Sequence, residues 1–185
     1  MEVIPTALPG VLILEQKRFD DSRGFFVESY NERDFQKATG LTVAFTQDNH
    51  SRSAAGVVRG MHYKIKNPEG KLVRVVCGRV LDIAVDMRKG SPHFGRWVGI
   101  ELSEDAPHRM VWVPPGFAHG FAALSERVDF LYKTSGFYEP HYERTLLWND
   151  PEVGIELPPE FTANPILSDK DRAGTPLKDA EPCVV

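Results

Sequence analysis

The sequence predicts an all-β fold, a sandwich or barrel of many short strands accompanied by one helix. Three observations point there. Short apolar runs recur along the whole 185-residue chain, Gly, Pro and Asp interrupt them, and the clearest central run alternates apolar with polar side chains. Apolar residues make up 42% and charged residues 26%, a balance that suits a soluble globular chain with one sizeable core. A single domain over residues 1–185 is expected, with 151–185 as an arm laid on the barrel, because Pro and acidic residues increase from Asp150 onward.

Taken in order, residues 11–14 and 24–30 read as two strands around a polar turn, Phe19-Asp20-Asp21-Ser22-Arg23. A helix is expected over residues 32–39: Asn31 can cap its open N–H groups, Asp34 lies in its first turn, and Gly40 closes it. Residues 43–48 and 57–63 read as strands separated by a polar loop, His50-Ser51-Arg52-Ser53. Residues 72–77 and 80–87 flank Gly78-Arg79, a hairpin candidate. In the second of these runs Leu81, Ile83, Val85 and Met87 alternate with Val80, Asp82, Ala84 and Asp86. One face is therefore wholly apolar and the other carries two carboxylates, so the strand should separate a packed core from a polar surface or cavity. Residues 97–102, 110–113, 120–123, 129–134 and 145–148 continue the series.

Charge and cysteine content exclude several classes of function. Twenty-two Lys and Arg against 26 Asp and Glu give a formal charge of −4, which argues against wholesale binding to nucleic acid or anionic membrane. Two cysteines, Cys77 and Cys183, are too few for a disulfide scaffold or a Cys-rich zinc site. No leader-like start and no run of ~18 apolar residues is present, so a cytoplasmic protein is expected.

Chemistry-bearing residues concentrate at a few places. Pro114-Pro115-Gly116-Phe117-Ala118-His119 resembles the second motif of the cupin superfamily, small jelly-roll barrels. The stretch matching the first motif, Arg59-Gly60-Met61-His62-Tyr63-Lys64, holds one histidine and no carboxylate at the metal-binding spacing. Two histidines fall short of the three or four ligands a transition metal needs, so no metal is expected. Arg23, Arg59, Lys71 and Arg74 each read alone as solvated charges. Beside Gln47, Asp48, Asn49 and His50 they can equally line a pocket for an anionic, polyhydroxylated ligand, since the planar fork of Arg suits phosphate. Phe19, Phe26, Tyr132 and Tyr138 are ordinary β-formers or, equally, a platform for stacking a base or sugar.

Longer blocks narrow the reading. Phe-x-Asp-x-Arg-Gly-Phe-Phe-x-Glu-Ser-Tyr (19–30), Gln-Asp-Asn-His-Ser (47–51), Val-x-Arg-Gly-x-His-Tyr (57–63) and Gly-Lys-Leu-Val-Arg (70–74) come first. Pro-Pro-Gly-Phe-Ala-His-Gly-Phe (114–121), Phe-Leu-Tyr-Lys-Thr (130–134), Trp-Asn-Asp-Pro (148–151) and Leu-Ser-Asp-Lys-Asp (167–171) follow. In that order and spacing they resemble the dTDP-4-dehydrorhamnose 3,5-epimerase family, over nearly the whole chain. The resemblance implies a metal-free and cofactor-free cupin jelly-roll barrel, a homodimer with exchanged N-terminal strands, acting on a dTDP-4-keto-6-deoxyhexose. It implies His62 as proton acceptor, Tyr132 as donor, Asp171 as the carboxylate paired with the histidine, and Lys71 beside the C4 keto oxygen. It also implies substrate contacts at Arg23, Glu28, Gln47, Asp48, Asn49, Arg59, His119, Glu143 and Lys170, with Tyr138 stacking on thymine. Arg23 and Glu28 would reach the neighbouring subunit's pocket. Lys64 departs from the family pattern, standing where a Gln often follows the His-aromatic pair.

The chemistry explains the residue types. C–H bonds beside a 4-keto group are acidic, a neutral imidazole can take the proton, and a paired carboxylate fixes its tautomer. An ammonium group suits the developing enolate oxygen, and inversion needs a second acid on the other face of the ring. No Gly-x-Gly-x-x-Gly fingerprint for a nicotinamide cofactor is present. Two alternatives stand beside double epimerisation: a mono-epimerase on a related dTDP-4-keto-6-deoxysugar, and a non-catalytic nucleotide-sugar-binding cupin. Taken singly, His62 reads as a satisfied strand histidine and Asp171 as a solvated tail charge.

Overall fold

The computed structural model describes residues 1–105 and 107–185. Thirteen strands are described: β1 (Glu2–Pro5), β2 (Leu12–Gln16), β3 (Arg18–Asp21), β4 (Gly24–Val27), β5 (Gln47–Ala54), β6 (Val58–Lys64), β7 (Lys71–Cys77), β8 (Arg79–Asp86), β9 (Trp97–Ser103), β10 (His108–Val113), β11 (Phe117–Ala123), β12 (Arg127–Thr134) and β13 (Glu143–Thr145). They form a six-stranded sheet in the order β1-β2-β10-β7-β12-β5, a five-stranded sheet in the order β13-β6-β11-β8-β9, and a separate hairpin of β3 and β4. Helix α1 (Glu32–Thr39) is where the capping residues place it. Asn31 accepts from the N–H groups of Arg33 and Asp34, and Gly40, at φ 73°, donates its N–H to the Gln36 carbonyl.

Three apolar layers hold the sheets. Between them pack Val73, Val75, Val111, Phe117, Phe121 and Phe130. Outside the six-stranded sheet, Phe35 of α1 packs with Leu14, Leu72, Met110 and Trp112. Outside the five-stranded sheet, Met61, Ile83, Val85 and Ala118 meet Phe161 and Cys183 of the C-terminal arm. The alternation of β8 is explained by this layering. Ile83 and Val85 face the arm, whereas Val80 and Ala84 face the space between the sheets with the buried Asp82 on the same side.

The structure corrects three local expectations. Gly78-Arg79 is a crossing and not a hairpin: β7 pairs with β10 and β12 in one sheet, β8 with β9 and β11 in the other. Gly78 turns there at φ 79°, with the Arg127 carbonyl oxygen 2.0 Å from where a Cβ would sit. Residues 50–53 are not a loop but the middle of β5, while residues 41–45 carry no ladder and lend Leu41, Val43 and Phe45 to the outer core. Phe19 and Asp21 belong to a strand of their own, β3, paired with β4, so the polar turn is shorter than expected.

Candidate active site

Strand β5 escapes an apolar reading because of what it faces. In its register with β12, Ser51 lies opposite Phe130 and Asn49 opposite Tyr132, and these face inward; Asp48 lies opposite Lys133 and faces outward. Its inner face is polar because it borders a cavity between the sheets, lined by Ser51, Arg59, His62, Lys71, His119 and Tyr132. A smaller cavity adjoins it, sharing His62 and Lys71 and bounded by Glu69, Tyr138 and Glu143. His62 and His119 stand side by side on β6 and β11 of the five-stranded sheet. Lys71 and Tyr132 stand on β7 and β12 of the facing sheet.

The partner of His62 comes from the far end of the chain. Parallel bridges Val57–Ile166 and Leu146–Thr175 clamp the arm on either side of α2 (Asp169–Arg172), against the strand that carries His62. Ser168 caps α2: its Oγ accepts from the N–H of Asp171 and donates to Asp171 Oδ2 at 2.7 Å. Asp171, 4% exposed, thereby presents Oδ1 to His62 Nε2 at 2.6 Å and to the Gly60 N–H at 3.3 Å. Burial would raise its pKa, but the hydrogen bonds from His62, Ser168 and Gly60 outweigh it and hold the carboxyl below its ordinary value. With Nε2 engaged, Nδ1 is the His62 nitrogen left for a ligand.

Burial pushes the Lys71 ammonium below the usual lysine range, against the opposing pull of Glu69 and Glu143. Burial raises the Tyr132 phenol, helped by Glu69 and Glu143 and opposed by Arg59, so the hydroxyl keeps its proton at neutral pH. His119 forms a second buried pair, Nε2 to Asp82 Oδ1 at 2.8 Å, and Asp82 Oδ2 makes no hydrogen bond among the described residues. Among the described residues, no three His, Cys, Asp or Glu side chains converge where they could hold a metal ion.

The other expected site residues divide. Arg59 is held at the cavity wall by Ser53 Oγ at 3.0 Å and the Arg52 carbonyl at 3.0 Å. Gln47 donates to Asn49 at 2.9 Å, Glu143 pairs with Lys170 at 2.6 Å, and Tyr138 lies exposed at the rim. Asp48 is a correction: its carboxylate points away from the cavity, into an ion pair with Lys133 at 2.9 Å. Arg74, on the face of β7 opposite to Lys71, also points outward. The structure does not bring Phe19, Arg23, Phe26 and Glu28 to the His62 cavity of their own chain. Phe19 and Phe26 are exposed on the β3–β4 hairpin, and Arg23 at its tip pairs with Asp21 and with no other side chain among the described residues. Sequence reasoning missed Ser168 and gave Asp82 no functional role. Their signals were a Ser three residues before an Asp and a carboxylate on an inward-facing strand position.

Fold and cavity together define a cupin jelly-roll barrel with an acid–base site between its two sheets. The chain belongs to the dTDP-4-dehydrorhamnose 3,5-epimerase family, whose model matches residues 5–179. It is 52% identical over 181 residues to the dTDP-4-dehydrorhamnose 3,5-epimerase of Pseudomonas aeruginosa, covering 98% of each chain. It is 53% identical over 180 residues to that of Salmonella typhimurium, covering 97% of this chain and 96% of the relative. Its structure is similar to that of an epimerase from Legionella pneumophila in complex with dTDP-4-keto-L-rhamnose, with a TM-score of 0.91 and 43% identity over 96% of this chain and 93% of that one. It is also similar to a 3'-monoepimerase from Streptomyces bikiniensis in complex with dTDP-quinovose, with a TM-score of 0.89 and 31% identity over 98% of this chain and 89% of that one.

Proposed function

We propose that this protein converts dTDP-4-dehydro-6-deoxy-D-glucose to dTDP-4-dehydro-L-rhamnose by inverting C3 and C5. The observation that carries the reading is the pairing of His62 with the buried Asp171 on one wall of a cavity whose other wall holds Lys71 and Tyr132. His62 Nδ1 takes the proton from the carbon beside the keto group, and the C–H electron pair moves into an enolate. The Lys71 ammonium stabilises the charge that develops on O4. Asp171 stabilises the imidazolium, and Tyr132 gives its phenolic proton to the opposite face of the carbon. A tyrosinate and an imidazolium remain, and proton exchange with solvent resets both.

Arg59, Gln47, Asn49, His119, Glu143 and Lys170 are assigned to the nucleotide sugar, and Tyr138 to the thymine ring. The exposed aromatic hairpin supports a homodimer in which Phe19, Arg23, Phe26 and Glu28 complete the partner's site. The free thiols of Cys77 and Cys183 suit a reducing compartment, in keeping with a cytoplasmic enzyme. The test is incubation with dTDP-4-dehydro-6-deoxy-D-glucose followed by NMR of the product. Formation of dTDP-4-dehydro-L-rhamnose supports the proposal, and an unchanged substrate refutes it.

A further inference from the structure

Lys64 is a buried cation that the proposed reaction does not use. It sits two residues beyond His62 on β6 and is 7% exposed, and its Nζ donates to the Phe137 carbonyl. The same Nζ lies 2.7 Å from Glu69 and 3.7 Å from Glu139. A lysine this buried is retained only with full compensation, and its three contacts come from two loops, 65–70 and 135–139. Those loops are laced together around it. Gly70 N–H donates to Ser135 Oγ at 2.8 Å, Ser135 N–H returns to the Gly70 carbonyl at 3.0 Å, and Asn67 donates to Glu139 at 3.2 Å. Gly136 packs so closely that an added Cβ would stand 3.3 Å from Glu69 Oε2. Tyr138 itself is exposed, and it lies between the two residues, Phe137 and Glu139, that Lys64 holds.

We propose that Lys64 is a positioning residue, an internal latch that joins the two rim loops and fixes Tyr138 in place for the nucleotide base. The inference rests on the proposed function for the identity of that base, and it adds the device that orders the stacking ring. Tyr138 has no hydrogen bond of its own among the described residues, so its placement depends on its backbone. Pre-ordering the backbone spares the ligand the entropy of fixing it on binding.

The test measures dTDP affinity by calorimetry in a double-mutant cycle. Lys64→Met is combined with Glu69→Gln, so that no buried charge is left unpaired. Stacking of a base on an aromatic ring is worth about fivefold to 150-fold in affinity. Unlatching should lose a part of that, about fivefold, with the loss falling on KM for the nucleotide sugar more than on kcat. In a Tyr138→Ala background the same pair should change dTDP affinity by less than about twofold, because the ring it positions is gone. An equal loss with and without Tyr138, or no loss at all, would overturn the latch. If the double variant fails to fold, Asn67→Ala with Glu139→Gln loosens the same junction from its exposed side. A smaller loss, again dependent on Tyr138, is then expected, and a loss independent of Tyr138 rejects the proposal. Wild-type protein that does not bind dTDP would sink the functional reading and the latch with it, whereas wild-type binding with inert variants would sink the latch alone.

Discussion

Replacing Asp171 by Asn removes a charge while leaving the shape. The carboxylate accepts from His62 Nε2 at 2.6 Å and the Gly60 N–H at 3.3 Å through Oδ1, and from Ser168 Oγ at 2.7 Å through Oδ2. An amide oxygen in the Oδ1 position keeps the first two bonds, and its NH2 group meets a hydroxyl that can rotate to accept. The tautomer of His62 therefore survives, and what is lost is the charge facing the imidazolium. A hydrogen bond to a charged group contributes ~1.5–3 kcal/mol and a neutral one ~1 kcal/mol, so the barrier should rise by about 0.5–2 kcal/mol. That corresponds to a fall in kcat of about twofold to thirtyfold, read from steady-state turnover with thermal unfolding as the control for fold. The pH dependence of stability gives a second reading. The carboxyl titrates lower in the folded than in the unfolded chain, so its contribution is complete above the unfolded value of about 3.9 and is lost as pH falls through the folded value. The stability gap between wild type and Asp171→Asn in urea should thus close as pH drops below about 4. A folded Asp171→Asn protein with kcat within twofold of wild type would remove the pair from the mechanism.

Tyr132→Phe should separate exchange from inversion: His62 can still form the enolate and return a deuteron to the original face, so solvent label enters with retained configuration while inversion falls. Inversion of both centres at the normal rate would leave the donor unidentified. For Lys71, the depressed folded pKa means that the unfolded chain binds the proton more tightly, so this group's contribution to stability rises with pH between the folded value and about 10.4. The alkaline limb of kcat should accordingly lie below 10.4, and Lys71→Arg, always charged, should move it upward at reduced kcat; an unmoved limb would assign it to another group. Arg59→Ala should weaken dTDP binding about tenfold or more by calorimetry, the scale of a lost charge-assisted hydrogen bond; unchanged affinity would remove Arg59 from the nucleotide site.

Much of this architecture is legible in the residues, and the failures have physical causes. Helix α1 follows from Asn31 and Gly40, because capping is a local interaction that needs no knowledge of the fold. The apolar stripe of β8 is legible because period-two burial reaches the sequence directly. Strand β5 was hidden because both its faces are polar, one bordering a cavity and one carrying Asp48, His50 and Arg52 outward. The Gly78 crossing looked like a hairpin because a turn glycine serves either, and only the pairing partners of β7 and β8 decide. Within the candidate site, the ordered blocks pointed to His62, Lys71, His119 and Tyr132, which the sheets bring together. The reach of Asp171 to His62 depends on bridges to residues 57 and 146, a long-range placement that no local pattern encodes.

The central claim is that His62 and Tyr132 move protons at two carbons flanking one keto group. Incubation with dTDP-4-dehydro-6-deoxy-D-glucose in deuterated water, followed by NMR of the sugar, tests it most directly. The account predicts deuterium at both C3 and C5 of an inverted product, and no label at either carbon with His62→Ala. Label confined to one carbon, or incorporation that persists in His62→Ala, would contradict it.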